Sequence, residues 1–373
     1  MKDNIENKLD ELFDKKSKKN RKIIFVAKVK SIAITVSIIL VILSLIYVGM
    51  SRVVIDKVIN KIDIKLFDKK SLIVNDIEKE YEIMHPNQYI AQVTYLKGFL
   101  SGNIKIDTCK VIEKNVVADE PIEREFNLKE MLGSENQQYV SANESGNGIA
   151  TISPGSLHDK LKNVDFFNRL GQRKMIFFYP FSDYKDLYRN DISKLEQVGD
   201  KKVAEMALSF DKYYSMEEIQ KVIPTGITVT WYWVDDISEE GKKAILASDE
   251  KDTKSIREGY NGTRKDGLFR TVVSEENAIG IKAIDMNGCK IDNPQDNFVR
   301  SIYRNDYKDE NIKALKSKLQ IKQTNDQSNV LKYNKQNIRI GGVVVTGSVE
   351  QLKGLSKISS IKASTFGVIL DKY

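Results

Sequence analysis

Charged residues interrupt the apolar pattern throughout this chain of 373 residues, except between Ser31 and Ser51. That run, SIAITVSIILVILSLIYVGMS, has no charge and sits between Lys30 and Arg52. At about 1.5 Å per residue it spans roughly 31 Å as a helix, close to a bilayer's hydrocarbon thickness. A soluble core helix apolar on every face is the competing assignment, but one this long rarely lacks a charge. A cleaved signal peptide is the other. The stretch is longer than an h-region, and Tyr47-Val48-Gly49-Met50 offers no small-x-small site, so an uncleaved anchor is expected.

On either side the pattern turns helical. In NIENKLDELFDKKSKK, Ile5, Leu9, Leu12 and Phe13 share one helix face. Acids lie toward its N-terminal end and lysines toward its C-terminal end, which suits the helix dipole. A helix this short is marginal alone in water. It is a solvated leader, a partner-docking helix or a lipid-associated segment, and the spacing does not choose. Beyond the apolar run, Val54, Ile55, Val58, Ile59, Ile62 and Leu66 carry a helical stripe to about Phe67. From Ile73 to about Leu132 the pattern is mixed, with strand-like runs at Tyr89–Leu96 and Asn103–Ile112. Residues 133–156, rich in Gly, Ser and Asn, read as a linker, with a boundary near residue 145.

The distal part repeats a unit. Val203–Phe210 is strand-like, and Ser215 with Glu218 forms a capping box. Ile219, Val222 and Ile223 give the helix a buried face, and Pro224 stops it. Ile227–Val234 is a second strand, with Val229, Trp231 and Trp233 expected on one side. Ile340–Thr346, Ser348 with Gln351, Leu352 with Leu355, and Ile361–Leu370 repeat the same order. The expected fold is α+β: two βαβ-like units in one sheet, helices on one face, ferredoxin-like in character. Between the repeats, Ser248–Gly267, Asp285–Asn297 and Asn305–Asn337 are polar, and the last holds a helix with Ile312, Leu315 and Leu319 on one face.

Charge sets the orientation. The formal net charge is +7. Residues 1–30 hold ten basic and five acidic side chains, hence +5, which leaves +2 for all the rest. Residues 15–30 contain eight Lys or Arg and no acid, including Lys15, Lys16, Lys18, Lys19, Arg21 and Lys22. Short, densely basic flanks stay cytoplasmic, and these side chains suit anionic headgroups. The expected layout is a cytoplasmic tail (1–30), a transmembrane helix (31–51), a membrane-proximal extracytoplasmic region (52–145) and a distal domain (146–373). The outer part is nearly neutral, so direct nucleic-acid binding has no electrostatic support.

Catalytic signals are sparse. Two histidines, His85 and His158, lack ligand-spaced partners, so neither a metal nor another cofactor is expected. Cys109 and Cys289 either pair outside the membrane or remain thiols. Asp235 and Asp236 close a strand, but adjacent strand residues point to opposite faces, so they read as a turn pair. No enzymatic activity is expected.

The stretches FFYPFSDYKDLYRND (177–191), KVAEMALSFDKYYSMEEIQKVIP (202–224), WYWVD (231–235), GGVVVTGSVEQLKGL (341–355) and IKASTFGVILDKY (361–373) resemble the C-terminal domain of bacterial sigma factor regulators. The basic leader and anchor (9–43) resemble that family's N-terminal region. The positions carrying the likeness include Tyr179, Pro180, Glu205, Ser209, Phe210, Trp231, Trp233, Asp235, Gly347 and Gly367. The resemblance implies a membrane-bound anti-sigma factor whose tail holds an extracytoplasmic-function sigma factor and whose outer domain senses envelope state or binds a second regulator. Unlike many anti-sigma factors, this tail has neither His nor Cys, so docking would fall to Ile5, Leu9, Leu12, Phe13 and the basic cluster. The alternatives are an envelope sensor or binding module without a sigma partner, and a wall-active enzyme using Asp235.

Overall fold

The computed structural model describes residues 2–49, 52–128, 149–152, 166–258, 268–304, 310–323 and 331–372. It divides into two compact units, Met1–Phe67 and Asp68–Tyr373, and the division falls inside a helix. In the first unit, α1 (Lys2–Gly49) runs through the tail and most of the apolar stretch without a break. Among the described residues, one segment is long and apolar enough to cross a membrane, Arg21–Ser44. Its described side chains are exposed throughout. It begins ahead of the expected 31–51 because Ile23–Val26 and Val29 extend the apolar surface past the lysines.

Helix α2 (Arg52–Ile83) reaches well beyond the expected end near Phe67. Ile73, Ile77 and Tyr81 recur at four-residue spacing and are buried, so the stripe continues where the sequence read as mixed. The turn His85-Pro86-Asn87 then leads into β1 (Gln88–Lys97), β2 (Ser101–Ile112) and β3 (Asn115–Asn127), an antiparallel meander in that order. Even-numbered β2 positions carry its buried face: Ile104, Ile106 and Ile112 are fully enclosed.

The expected boundary near residue 145 lies outside the described residues, and described residues on both sides of it belong to the second unit. Within the stretch read as linker, Ile149–Ile152 is a strand, β4, because its β-branched residues pair with a later strand. Then come β5 (Phe166–Phe167), β6 (Arg173–Lys174), β7 (Ile176–Phe177), the single turn α3 (Leu195–Val198), β8 (Lys202–Tyr214), α4 (Met216–Val222) and β9 (Thr228–Val234). Helix α5 (Glu239–Glu258) occupies part of a stretch read only as polar, followed by β10 (Arg270–Ser274), β11 (Gly280–Lys282), α6 (Pro294–Arg304) and α7 (Glu310–Leu319). The chain closes with β12 (Lys322–Gln323), β13 (Leu331–Lys332), β14 (Ile340–Ser348), α8 (Val349–Lys353) and β15 (Ile361–Asp371).

The central sheet has the order β11-β9-β14-β8-β15, with every neighbouring pair antiparallel. The units β8-α4-β9 and β14-α8-β15 therefore interleave, each placing its second strand parallel to its first across one strand of the other unit. Both helices begin with complete capping boxes, Ser215 with Glu218 and Ser348 with Gln351. One sheet face, with Met206, Leu208, Val343 and Val345, joins Ile219 of α4, Leu352 of α8, Val299 of α6 and Leu315 of α7 in the main core. The opposite face, with Ala207, Trp231, Trp233 and Val344, packs on Met175, Phe177, Tyr179 and Val273. Thus β7 and β10, which form a second sheet with β4, cover the face the helices leave open.

Val229 does not join the two tryptophans. The pairing shifts between Val344↔Trp231 and Val345↔Val229, so Thr230 is the extra residue of a bulge. The alternation reverses there, and Val229 packs with the helix-side core.

Candidate functional site

Strand β8 is buried on both faces, yet its odd-numbered face carries two polar residues, Glu205 and Ser209, beside Ala207. Ser209 Oγ accepts the backbone N–H of Phe178 at 2.9 Å and ties β8 to the segment after β7. Glu205, wholly enclosed, anchors a cluster of charges. Lys110 of β2 donates to Glu205 Oε2 at 3.3 Å and to both carboxylate oxygens of Glu275, the residue after β10, at 3.2 and 3.3 Å. Asn87 donates to Glu205 Oε1 at 2.7 Å and to the Val111 carbonyl at 2.8 Å. Asn87 has φ 55°, a left-handed conformation that asparagine tolerates better than most residues. The N–H of Met175 donates to Glu275 Oε2 at 3.0 Å.

One ammonium among two carboxylates gives this enclosed triad a charge of −1 when all three are ionised. Burial pulls the Lys110 ammonium down, but Glu205, Glu275 and Asp119 outweigh it and hold the group above the ordinary lysine value. Burial pushes the Glu275 carboxyl up to about 7, with Lys110 opposing and Glu205 adding to the rise. Such a triad contributes little net stability when complete, but removing one partner strands a buried charge. Its geometric effect is to lock together the meander, the central sheet and the sheet containing β10.

Strand β15 completes the site. Its pairing with β8 shifts between Phe366↔Met206 and Ile369↔Ala204, so a bulge lies at Gly367 and Val368. The freed Val368 N–H donates to Glu205 Oε2 at 3.2 Å. Gly367 lies against the carboxylate itself, where a Cβ would collide with it.

The residues singled out from sequence thus fall into separate places. Glu205 and Gly367 meet. Tyr179 and Trp233 pack together with ring centroids 5.4 Å apart, and Phe177 lies 5.2 Å from Trp233 and 5.8 Å from Trp231, so the aromatics are core. Phe210 faces the other side, in the helix-side core. Pro180 is half-buried, and a Cβ at Gly347 would meet Leu352 at ordinary van der Waals distance. Asp235 accepts from Lys242 at 2.9 Å and Lys318 at 3.1 Å, a neutralised carboxylate at a strand end. Cys109 is buried and Cys289 exposed, both as free thiols, so no bond joins them. Ile5, Leu9, Leu12, Phe13, Lys15, Lys16, Lys18 and Lys19 lie in α1, with side chains outside those described, while Arg21 and Lys22 are exposed.

Lys110, Glu275 and Asn87 went unrecognised in the sequence. For Lys110 the signal was present: strand alternation puts it on the face of Ile104, Ile106 and Ile112, an inward charge that needs a partner. Nothing local marked Glu275 or Asn87.

Residues 195–368 match the family model described as sigma factor regulator C-terminal. No curated protein and no solved structure matches the chain.

Proposed function

We propose, for a chain whose residues 195–368 match the sigma factor regulator C-terminal family model, that it acts as a membrane-anchored anti-sigma factor. The single observation carrying this reading is that family match; the long apolar stretch within α1 supports the anchor. The excess of Lys and Arg at residues 15–30 supports an N-terminus inside and a distal domain outside. The tail then holds an extracytoplasmic-function sigma factor at the membrane, through a helix-in-groove contact made by Ile5, Leu9, Leu12 and Phe13. Lys15 through Lys22 rest on anionic headgroups. The stripe Ile5, Leu9, Leu12 and Phe13 offers little surface for tight capture, so a second membrane regulator would complete the contact.

In this reading the outer domain senses envelope state by binding rather than catalysis, and the chain has no enzymatic activity. The pairing of Asp235 with two lysines favours a structural role for that carboxylate. The interleaved units and their strand order support a ferredoxin-like description of the distal domain.

The test is co-purification of the full-length chain with each extracytoplasmic-function sigma factor of the same genome. A parallel chain carries an unrelated polar leader in place of residues 1–14. Capture by the first and loss by the second is the expected result. Equal capture, or none by either, would leave the reading of a sensor without a sigma partner.

A further inference from the structure

A cavity of about 540 Å³ opens between α2 and α6, beside the start of β1 and the end of β11. That volume falls in the range of small-ligand sites, about 300–1,000 Å³. Its walls carry opposite charges. Helix α2 supplies Glu78 and Glu82, four residues apart on one face, and α6 supplies Arg300 and Arg304 at the same spacing. Facing helices with these residues would ordinarily pair them across the gap. Here the link between the walls is a hydrogen bond, from Ser301 Oγ to Glu82 Oε2 at 2.5 Å. Glu78, Arg300 and Arg304 make no ion pair with any described residue.

Lys282 lines the cavity as well. Its Nζ donates to the Gln88 carbonyl at 2.6 Å and lies 4.5 Å from the ring centroid of Tyr89 and 5.9 Å from that of Tyr81. Among the described residues no carboxylate lies within ion-pair distance of this ammonium, and burial pushes it down to about 7, with Glu82 opposing. An ammonium holding one carbonyl and two aromatic faces keeps capacity for a further acceptor.

We infer that this cavity binds a short peptide with free ends, its amino group against Glu78 and Glu82 and its carboxylate against Arg300, Arg304 and Lys282. A purely anionic ligand would face three carboxylates, Glu78, Glu82 and Asp285, and a purely cationic one three basic groups. Only a ligand carrying both charges satisfies both walls. Tyr81, Tyr89 and Phe298 offer apolar surface to the side chains between its ends. Under the proposed function, the cavity's occupancy is the binding event that the sensing role requires. The assignment as a signal rests on the proposed function, whereas the binding does not.

The experiment is calorimetric titration of the full-length chain in detergent with three probes: alanyl-alanine, its N-acetyl derivative and its C-terminal amide. The free dipeptide is expected to bind, and each capped form to bind at least about tenfold more weakly. Replacing both arginines, Arg300→Gln with Arg304→Gln, should erase the preference for the free carboxylate. Glu78→Gln with Glu82→Gln should erase the preference for the free amine. The comparison among probes needs no variant, so misfolding of a variant does not blunt it. No binding of any probe, or equal binding of free and capped forms, overturns the inference. Binding without any change in transcription from the partner sigma factor would uphold the cavity and count against the proposed function instead.

Discussion

Gly367 of β15 lies directly against the carboxylate of Glu205 on β8, and the contact has no room for even one methyl group. The bulge that brings them together also turns the Val368 N–H onto the same carboxylate. Gly367→Ala must push Glu205 away from Lys110 or shift β15. Overpacking of this kind costs about 1–3 kcal/mol. Urea unfolding of the detergent-solubilised chain should show a lower midpoint with an unchanged slope.

Removing the ammonium should be worse. Lys110→Met leaves Glu205 and Glu275 facing each other in an enclosed site. Breaking a buried charge group by deleting one member costs about 3–5 kcal/mol. The loss should be larger at pH 8 than at pH 5, where a proton on one carboxyl relieves the repulsion. Thermal unfolding at the two pH values measures the difference.

Glu275 also sets a sign for the intact protein. Its carboxyl is raised from 4.5 to about 7 in the folded chain. Between those values the folded state binds more protons than the unfolded one, so this group's contribution to stability falls as pH rises from 4.5 to 7 and levels off above. Glu275→Gln should flatten that part of the profile. A slope unchanged by the substitution would assign the pH dependence to other groups.

The cap of α4 can be probed at the surface. Ser215 accepts the Glu218 N–H, and the Glu218 carboxylate accepts the Ser215 N–H at 2.7 Å. Ser215→Ala should cost about 1 kcal/mol and leave the sheet unaltered. Chemical unfolding with an unchanged near-ultraviolet circular dichroism spectrum is the expected combination.

At the other end of the chain, Leu9→Asp with Leu12→Asp places two charges on the apolar stripe of the tail. Under the proposed function, transcripts of the partner sigma factor's regulon should rise in cells that insert the variant normally. Unchanged transcript levels would remove the docking role from that stripe.

What the sequence made legible was local. The capping boxes at Ser215 and Ser348, the strand at Ile361, and the buried stripe Ile312, Leu315 and Leu319 each follow from a period or a spacing within a few residues. The length of α2 was missed because Ile73, Ile77 and Tyr81 are spaced among charges that read as mixed until their burial is known. Val229 was misplaced because a bulge cancels one step of alternation, and only pairing with β14 reveals a bulge. The charged site was least visible of all. Glu205 stood out, but Lys110, Glu275 and Asn87 approach it from distant parts of the chain, and residues from different strands meet only once pairing is fixed.

The position of β15 bears on how the protein is made. Val203 of β8 pairs with Ser348 on one edge and Leu370 on the other. A ribosome releases β8 long before either neighbour exists, so the nascent domain carries an apolar strand with both edges bare until the final segments emerge. Contacts this distant in sequence slow folding, and open strand edges invite aggregation. A transcript truncated before Ile361 would yield a body whose Glu205 never meets the Val368 donor.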